Sequence, residues 1–336
     1  MLKYTTAGES HGKALLAILE GMPAGIKIDK GKIDLDLKRR QGGYGRGKRM
    51  DIERDRVEIL SGVRKDITLG SPIALSIENK DYKIEGLPSV SCPRPGHADL
   101  AGALKYNTKD IRNILERASA RETAGRVAAG AICKMLLGEF GIEIISHVIG
   151  IGKIKVETNG LYYSRIKPLA EKSELRCVDK SAEKKMIDEI DEAGEKGDTL
   201  GGVFEIAILG VPVGLGSFMQ PDLRLDGRLA RALMSIQSVK AVEIGNGLAA
   251  SKSFGSDVHD AIYFDKNKKC FYRKTNNAGG IEGGLTNGES IIIRAFMKPI
   301  STLMSPMASV NVVTKKSEKA ATERSDICVV PAAGVV

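Results

Sequence analysis

The chain has 336 residues, 42% hydrophobic and 28% charged, with 4% aromatics and no Trp; that mixture can bury a sizeable core and excludes a disordered polymer or a disulfide-stapled miniprotein. Lysine and arginine outnumber aspartate and glutamate by 51 to 42, a net charge of +9, which favours anionic partners without separating nucleic acid from small phosphates or carboxylates. Apolar runs such as 127–133 and 206–216 fall short of the roughly 20 residues a bilayer span needs, no secretory signal opens the chain, and five scattered cysteines form no CxxC pair, so a cytoplasmic protein with reduced thiols, no metal site and no membrane association is expected.

In chain order, residues 14–19 read as a buried strand running into a Gly/Pro turn at 21–25. Residues 107–137 read as one long helix, capped by Asn107 or Thr108, with Ile111, Ile114, Leu115 and Ala118 opening its apolar stripe. Gly125 and Gly130 sit in its Ala-rich middle. Each costs about 1 kcal/mol relative to Ala, a cost tolerated where another backbone packs close, so this helix is expected in the core and Gly138 is expected to stop it. High Ile/Val density predicts strands over 142–156, 203–209 and 290–296. Residues 181–193 form an amphipathic surface helix with Ala182, Met186 and Ile190 on one face, in a polar stretch (172–198) that reads as a helical insertion. Residues 223–239 form a second amphipathic helix, carrying Leu225, Leu229, Leu233 and Ile236. No short repeat or Pro/Ser-rich linker divides the chain, so one domain over 1–336 with both α and β structure is the simpler expectation.

Only four histidines occur, and His is the side chain best suited to move protons near neutral pH. His11, in GESHG, and His97, in PRPGHAD, lie in Gly/Pro-shaped turns, where a rigid loop can aim a side chain into a cleft. His147 lies inside an apolar strand and reads as structural; His259, in a polar loop, reads as solvated. Residues 38–49, KRRQGGYGRGKR, carry six positive charges, no negative ones and four glycines. Glycines let backbone N–H groups approach an anion, and arginines fork onto phosphate or carboxylate oxygens. A solvated loop, an RGG-like nucleic-acid contact with Tyr44 stacking on a base, and a lid over a small phosphorylated substrate remain comparable readings. Two phosphate motifs fail: residues 8–14 are one residue short of a P-loop and have Ala where Ser/Thr must bind magnesium, and residues 42–47 miss the GxGxxG spacing. The glycine cluster at 279–284 reads as a hairpin loop before the strand at 290–296.

Seven segments in order are more specific than any of these alone: GESHG at 8–12, RRQGGYGRG at 39–47, GHADL at 96–100, LERASARETAGRVAAGA at 115–131, GGIEGG at 279–284, KPIST at 298–302 and RSDICVVPAAGVV at 324–336. The series resembles the chorismate synthase family over nearly the entire chain. The resemblance implies an α+β fold, a β-α-β sandwich with a helical core between antiparallel sheets, and assembly as a homotetramer. It implies 1,4-elimination of phosphate and a proton from 5-enolpyruvylshikimate 3-phosphate, giving chorismate, with reduced FMN required and no net redox change. The family pattern without a flavin-reductase domain implies an external reductant, NADPH-dependent systems included. Family chains continue past the last segment into a further helix, so a tail beyond Val336 is expected.

By the same resemblance, Arg40, Arg46 and Arg49 grip the substrate, His11 protonates the departing phosphate, His97 stands by the flavin's pyrimidine edge, and Asp326 relays the lost proton toward flavin N5. Arg117, Ala118, Ser119, Gln237, Ser238, Gly283, Lys298, Pro299, Ile300, Ser301, Thr302 and Arg324 match the family's flavin contacts, with Lys298 and Arg324 toward the FMN phosphate. Two other classes make distinct predictions. A nucleic-acid binder using residues 38–49, weakened by Asp51, Glu53 and Asp55 directly after them, predicts steeply salt-dependent affinity. A conventional flavin oxidoreductase predicts stoichiometric flavin oxidation.

Overall fold

The computed structural model describes residues 2–47, 52–156, 158, 161–323 and 325–336. Two antiparallel sheets face each other across a helical layer. The first holds β1 (Lys3–Ala7), β2 (Ala14–Glu20), β3 (Val57–Ile59) and β4 (Ile73–Glu78) in the order β1-β2-β4-β3. The second holds β5 (Glu143–Ile151), β6 (Ile154–Lys155), β7 (Gly202–Leu209), β8 (Val239–Ile244) and β9 (Ile291–Met297) in the order β8-β9-β7-β5-β6. Its register pairs Ile144 with Ile208 and Ile291 with Ile208 on either side of β7. Among the described residues the helices of more than one turn are α1 (Lys30–Gln41), α2 (Asp99–Lys105), α3 (Arg112–Ala118), α4 (Thr123–Gly138), α5 (Tyr163–Lys172), α6 (Lys180–Glu195), α7 (Leu225–Met234) and α8 (Val330–Val335). None is long and apolar enough to cross a membrane.

α4 packs on β2 and β4 and against α1, and α8 bridges from α1 to β5 and β7. One apolar core therefore joins the first sheet to α1 and α4 and a second joins the other sheet to α6 and α8, with Val336 touching both. This is the β-α-β sandwich expected from the family resemblance. The strand expected at 14–19 is buried on one face only: Leu15, Ala17 and Leu19 are inside, whereas Leu16 and Ile18 are 40% and 46% exposed. A strand's side chains alternate between faces, and only the inner face meets the helical layer.

The helix expected over 107–137 is two helices. Asn107 has a left-handed φ of 51°. α3 ends at Ser119, which is extended (ψ 140°), and its Oγ accepts the Arg121 N–H to start the one-turn 3₁₀ segment Ala120–Glu122 before α4. A serine hydroxyl competing for a backbone donor outweighs the helical propensity of its neighbours. Gly125 is where the backbones approach: a Cβ there would lie 3.2 Å from the Leu16 carbonyl oxygen, while nothing lies within 4 Å of one at Gly130.

α6 matches its expected helix, with Asp179 accepting the N–H groups of Ser181 and Ala182 as its N-cap. Met186 and Ile190 sit in the second core, so this segment is part of the sandwich and no mere insertion. The helix expected over 223–239 is shorter: α7 ends at Met234, and Ser238 adopts a left-handed φ of 70°. Leu225, Leu229 and Leu233 are only partly covered. The strand expected over 142–156 turns at Gly152 (φ 55°) into the β5–β6 hairpin.

Candidate active site

Both turn histidines are held from beneath. The turn after β1 begins at Gly8 (φ 102°), where a Cβ would lie 2.3 Å from the Ala14 carbonyl oxygen, so glycine is required there. Asn79 Nδ2 donates to the carbonyls of Glu9 (3.2 Å) and Gly12 (2.8 Å), and Arg121 Nε donates to Asn79 Oδ1 (2.9 Å). His11 Nδ1 lies 3.0 Å from both carboxylate oxygens of Glu116 on α3, and its backbone N–H donates to Glu116 Oε2 at 2.8 Å. Burial opposes the Glu116 anion, but the hydrogen bonds from His11 and the charges of His11 and Arg112 outweigh it and hold the carboxyl below its ordinary range.

His97 precedes α2, whose first residue, Asp99, accepts from His97 Nδ1 at 2.5 Å. Arg94 forks onto Asp99 through Nε (2.8 Å) and Nη2 (3.0 Å), and its Nη1 donates to Thr302 Oγ1 (2.8 Å). Burial again opposes the anion, and His97 and Arg94 together hold the Asp99 carboxyl far below the carboxylate range.

These turns open on one cavity of about 510 Å³. Its wall also contains the end of α1, the α3–α4 junction, the turn after α7, the segment after β9 and, from the C-terminal stretch, Glu323, Ser325, Asp326, Val329, Ala332, Ala333 and Val336. Among the described residues, six cationic side chains (Arg40, Arg46, Lys83, Arg94, Arg121, Lys298) line it with three carboxylates (Asp81, Glu323, Asp326). The cavity therefore suits a multiply charged anion.

The structure brings His11, His97, Asp326, Arg46, Ala118, Ser119, Gln237, Ser238, Lys298, Ile300, Ser301 and Thr302 to this wall. Arg40 also lies on it, but its guanidinium is largely engaged by the protein. Nε donates to Thr123 Oγ1 (2.8 Å), Nη2 to the Ala120 carbonyl (3.0 Å), and Nη1 reaches Asp55 (3.4 Å). Burial and the neighbouring Arg121 charge lower its proton affinity, which Asp55 only partly offsets.

Three residues are placed elsewhere. Arg117 turns away from the cavity and anchors the His11 turn from outside, donating to the carbonyls of Gly8 and Thr6 at 2.8 Å. Gly283 is exposed at the tip of the hairpin Ile281–Glu282/Leu285–Thr286, the hairpin expected at the glycine cluster. Pro299 is exposed and outside the lining, though its carbonyl accepts from Lys298 Nζ at 3.2 Å. Arg49 and Arg324 lie outside the described residues. His147 is structural as expected, buried with Nε2 3.1 Å from Glu205, and His259 is exposed.

The basic segment is also reorganised. Lys38, Arg39 and Arg40 belong to the last turn of α1, where cations complement the helix dipole, and the loop proper starts at Gly42. Sequence reasoning missed Glu116, Arg94, Asp99, Arg121, Asp81 and Lys83. Asp99 lay two residues from His97 in a motif already singled out; Glu116 also stood in such a motif, at 115–131, but 105 residues from His11, with nothing in the sequence to link the two.

The model of a family described as chorismate synthase matches residues 2–336. The chain is 53% identical over 354 residues to the chorismate synthase of Geobacter metallireducens, an alignment covering all of this chain and 90% of that protein. It is 55% identical over 347 residues to that of Alkaliphilus metalliredigens, covering all of this chain and 91% of the relative. Among solved structures, a crystal structure of chorismate synthase superposes with a TM-score of 0.80 at 46% identity, over 99% of this chain and 87% of the other.

Proposed function

This chain belongs to the chorismate synthase family and is a carbon–oxygen lyase acting on phosphates, and we propose that its whole length works as one unit around the cavity just described. The reaction is the last step of the shikimate pathway: 5-enolpyruvylshikimate 3-phosphate loses phosphate and a proton by 1,4-elimination to give chorismate. The observation that carries the site assignment is the meeting of His11, His97, Asp326 and six cations on one cavity wall.

The substrate bears a phosphate and two carboxylates, which the cationic lining complements. Arg46, with Lys83 nearby on the wall, holds those anions, while Arg40 and Arg121 chiefly brace the wall through Thr123, Asn79 and Asp55. His11, backed by Glu116 at Nδ1, gives a proton to the departing phosphate from Nε2, so that the developing charge is neutralised as the C–O bond breaks. Asp326 takes up the proton lost from the ring, and His97, fixed by Asp99, would hydrogen-bond the cofactor when it is bound. Arg49 joins the substrate grip.

The residues present fit reduced FMN. Lys298 has no ion pair among the described residues, and Ser301 Oγ accepts from its Nζ at 2.9 Å; burial and the nearby Lys240 charge lower its proton affinity. An anion placed there would relieve both, so Lys298, Ser301, Thr302 and Arg324 hold the cofactor phosphate. Gln237 Oε1 is buried without a hydrogen-bond partner among the described residues and would accept a ring N–H. Ala118, Ser119, Ser238 and Ile300 complete the contacts, with Arg117 acting through the His11 turn it anchors. When bound, reduced FMN supplies transient electron donation that loosens the C–O bond without net oxidation.

The cofactor is kept reduced by an external, NADPH-dependent source. The enzyme works in the cytoplasm as a homotetramer, without nucleic-acid or membrane partners. The exposed Leu16 and Ile18 on the outer face of the first sheet, with the exposed Phe254 and Phe271 elsewhere, support self-assembly. Tyr44 packs against the second core and its Oη donates to Asp191 at 2.8 Å, ties that weigh against the free stacking platform a nucleic-acid reading needs.

The test is anaerobic turnover with dithionite-reduced FMN. Chorismate should form while the flavin stays reduced. No chorismate overturns the assignment, and one flavin oxidised per turnover would indicate a conventional oxidoreductase.

A further inference from the structure

α3 is only seven residues long, yet it grips the His11 turn at several points. Glu116 is 2% exposed. Its carboxylate meets His11 Nδ1 with both oxygens at 3.0 Å and accepts the His11 backbone N–H at 2.8 Å, while its carbonyl accepts the Ser10 N–H at 2.9 Å. On the far edge of the ring, Nε2 lies 3.7 Å from Asp81, which is itself 2.7 Å from Lys83. The N–H groups of Lys83 and Ile84 both donate to the His11 carbonyl at 3.1 Å. Imidazole, backbone and both edges of the ring are thus fixed before any ligand arrives.

The two histidine–carboxylate pairs look alike but differ in where the negative charge is directed. Asp99 is forked by Arg94 at 2.8 and 3.0 Å, and Arg94 Nη2 also lies 3.1 Å from His97 itself. Among the described residues Glu116 has one arginine contact, Arg112 Nη1 at 3.4 Å, and Arg112 is drawn away by Glu323 at 2.8 Å and the Pro88 carbonyl at 3.1 Å. The Glu116 charge therefore acts chiefly on His11, whereas that of Asp99 is shared between a permanent cation and His97. A buried carboxylate on Nδ1 fixes the tautomer with hydrogen on that nitrogen and stabilises the imidazolium formed when Nε2 also carries a proton.

We propose that Glu116 is a positioning residue that holds His11 Nε2 toward the departing phosphate and keeps it able to deliver a proton there, a service Asp99 does not give His97. The proposal rests on the assignment of His11 as the acid of the elimination. The groups that face the pair are Asp81 and Lys83 from the loop after β4, Arg112 from α3 and Glu323 from the C-terminal segment.

Glu116→Gln keeps the shape and one acceptor for the His11 N–H but removes the charge. Its kcat should fall by about 10²-fold or more with KM little changed, and the alkaline limb of the kcat profile should move to lower pH. Glu116→Asp, which restores the charge, should recover part of the rate and return the alkaline limb to its wild-type position. The discriminating measurement is a double-mutant cycle under single-turnover conditions with reduced FMN. In a His11→Ala background, Glu116→Gln should change the rate less than about twofold.

An equal loss in both backgrounds, or a wild-type rate and pH profile in Glu116→Gln, overturns the proposal. If Glu116→Gln does not fold, Glu116→Asp carries the test: a lowered kcat with an unmoved alkaline limb supports the proposal, and a wild-type kcat overturns it. Wild-type protein that makes no chorismate in the same assay defeats the underlying assignment instead, so the two failures are distinct.

Discussion

The backbone N–H of Gly47 donates to Asp326 Oδ1 at 2.6 Å, joining segments 279 residues apart. Beside it, the Ile327 N–H donates to the Gly45 carbonyl at 2.7 Å. The glycine-rich loop is thereby clasped to the C-terminal segment along one wall of the cavity. Gly45 has φ 79°, and a Cβ there would lie 2.8 Å from Ile190 Cγ2.

Gly45→Ala should therefore strain the clasp. An L-residue in the left-handed region costs about 1–2 kcal/mol. Because Arg46 is carried by the same loop, the expected result is a raised KM for the phosphorylated substrate with a smaller change in kcat. Steady-state kinetics under anaerobic conditions check this; a wild-type KM would show that the clasp does not set substrate binding.

Arg40 and Arg46 should separate under the same substitution. Arg40→Gln leaves the carboxylate of Asp55 buried with one partner fewer, and breaking a buried pair costs on the order of 3–5 kcal/mol. Arg46 is 3.5 Å from Asp326 at the cavity wall. Arg46→Gln should leave the thermal midpoint near wild type and weaken substrate binding, whereas Arg40→Gln should lower the midpoint first. Thermal denaturation alongside KM measurements distinguishes them.

The Asp99 pair predicts a pH dependence of stability. Its folded-state carboxyl titrates below its ordinary value of 3.8, so the stability it contributes is present above about pH 4 and lost as pH falls below that. Asp99→Asn should cost on the order of 3–5 kcal/mol near pH 7. The gap between wild type and variant should narrow when denaturant midpoints are compared at pH 7, 4 and 3. A constant gap would contradict the ion-pair account.

His147 should matter to the fold and not to the chemistry. Its Nε2 meets Glu205, which Arg294 also contacts at 2.9 Å, in the interior of the second sheet and away from the cavity lining. His147→Ala should cost roughly 1–3 kcal/mol in denaturant unfolding and leave kcat/KM unchanged. A loss of turnover in folded protein would contradict the structural reading.

Much of the sandwich was legible because it depends on local pattern. Dense Ile and Val placed β7 and β9 to within a residue, and i,i+4 spacing of Ala182, Met186 and Ile190 placed α6. The helix over 107–137 was read too long because Ala-rich composition runs through Ser119, where one hydroxyl bond to a backbone N–H breaks the helix. Arg40 and Arg46 were indistinguishable as members of one basic run. The partnership of Arg40 with Thr123 and Asp55 depends on chain segments that meet only after folding.

The order of motifs along the chain was enough to identify the family and the reaction and to single out the two turn histidines as candidates, since residue types and spacings are properties of a line of letters. Which carboxylate backs each histidine, which arginine is tied to Thr123 and Asp55, and how the C-terminal segment clasps the glycine-rich loop were decided by tertiary structure. Those interactions reach only a few ångströms, and folding brings into that range groups that sequence separates by tens to hundreds of residues.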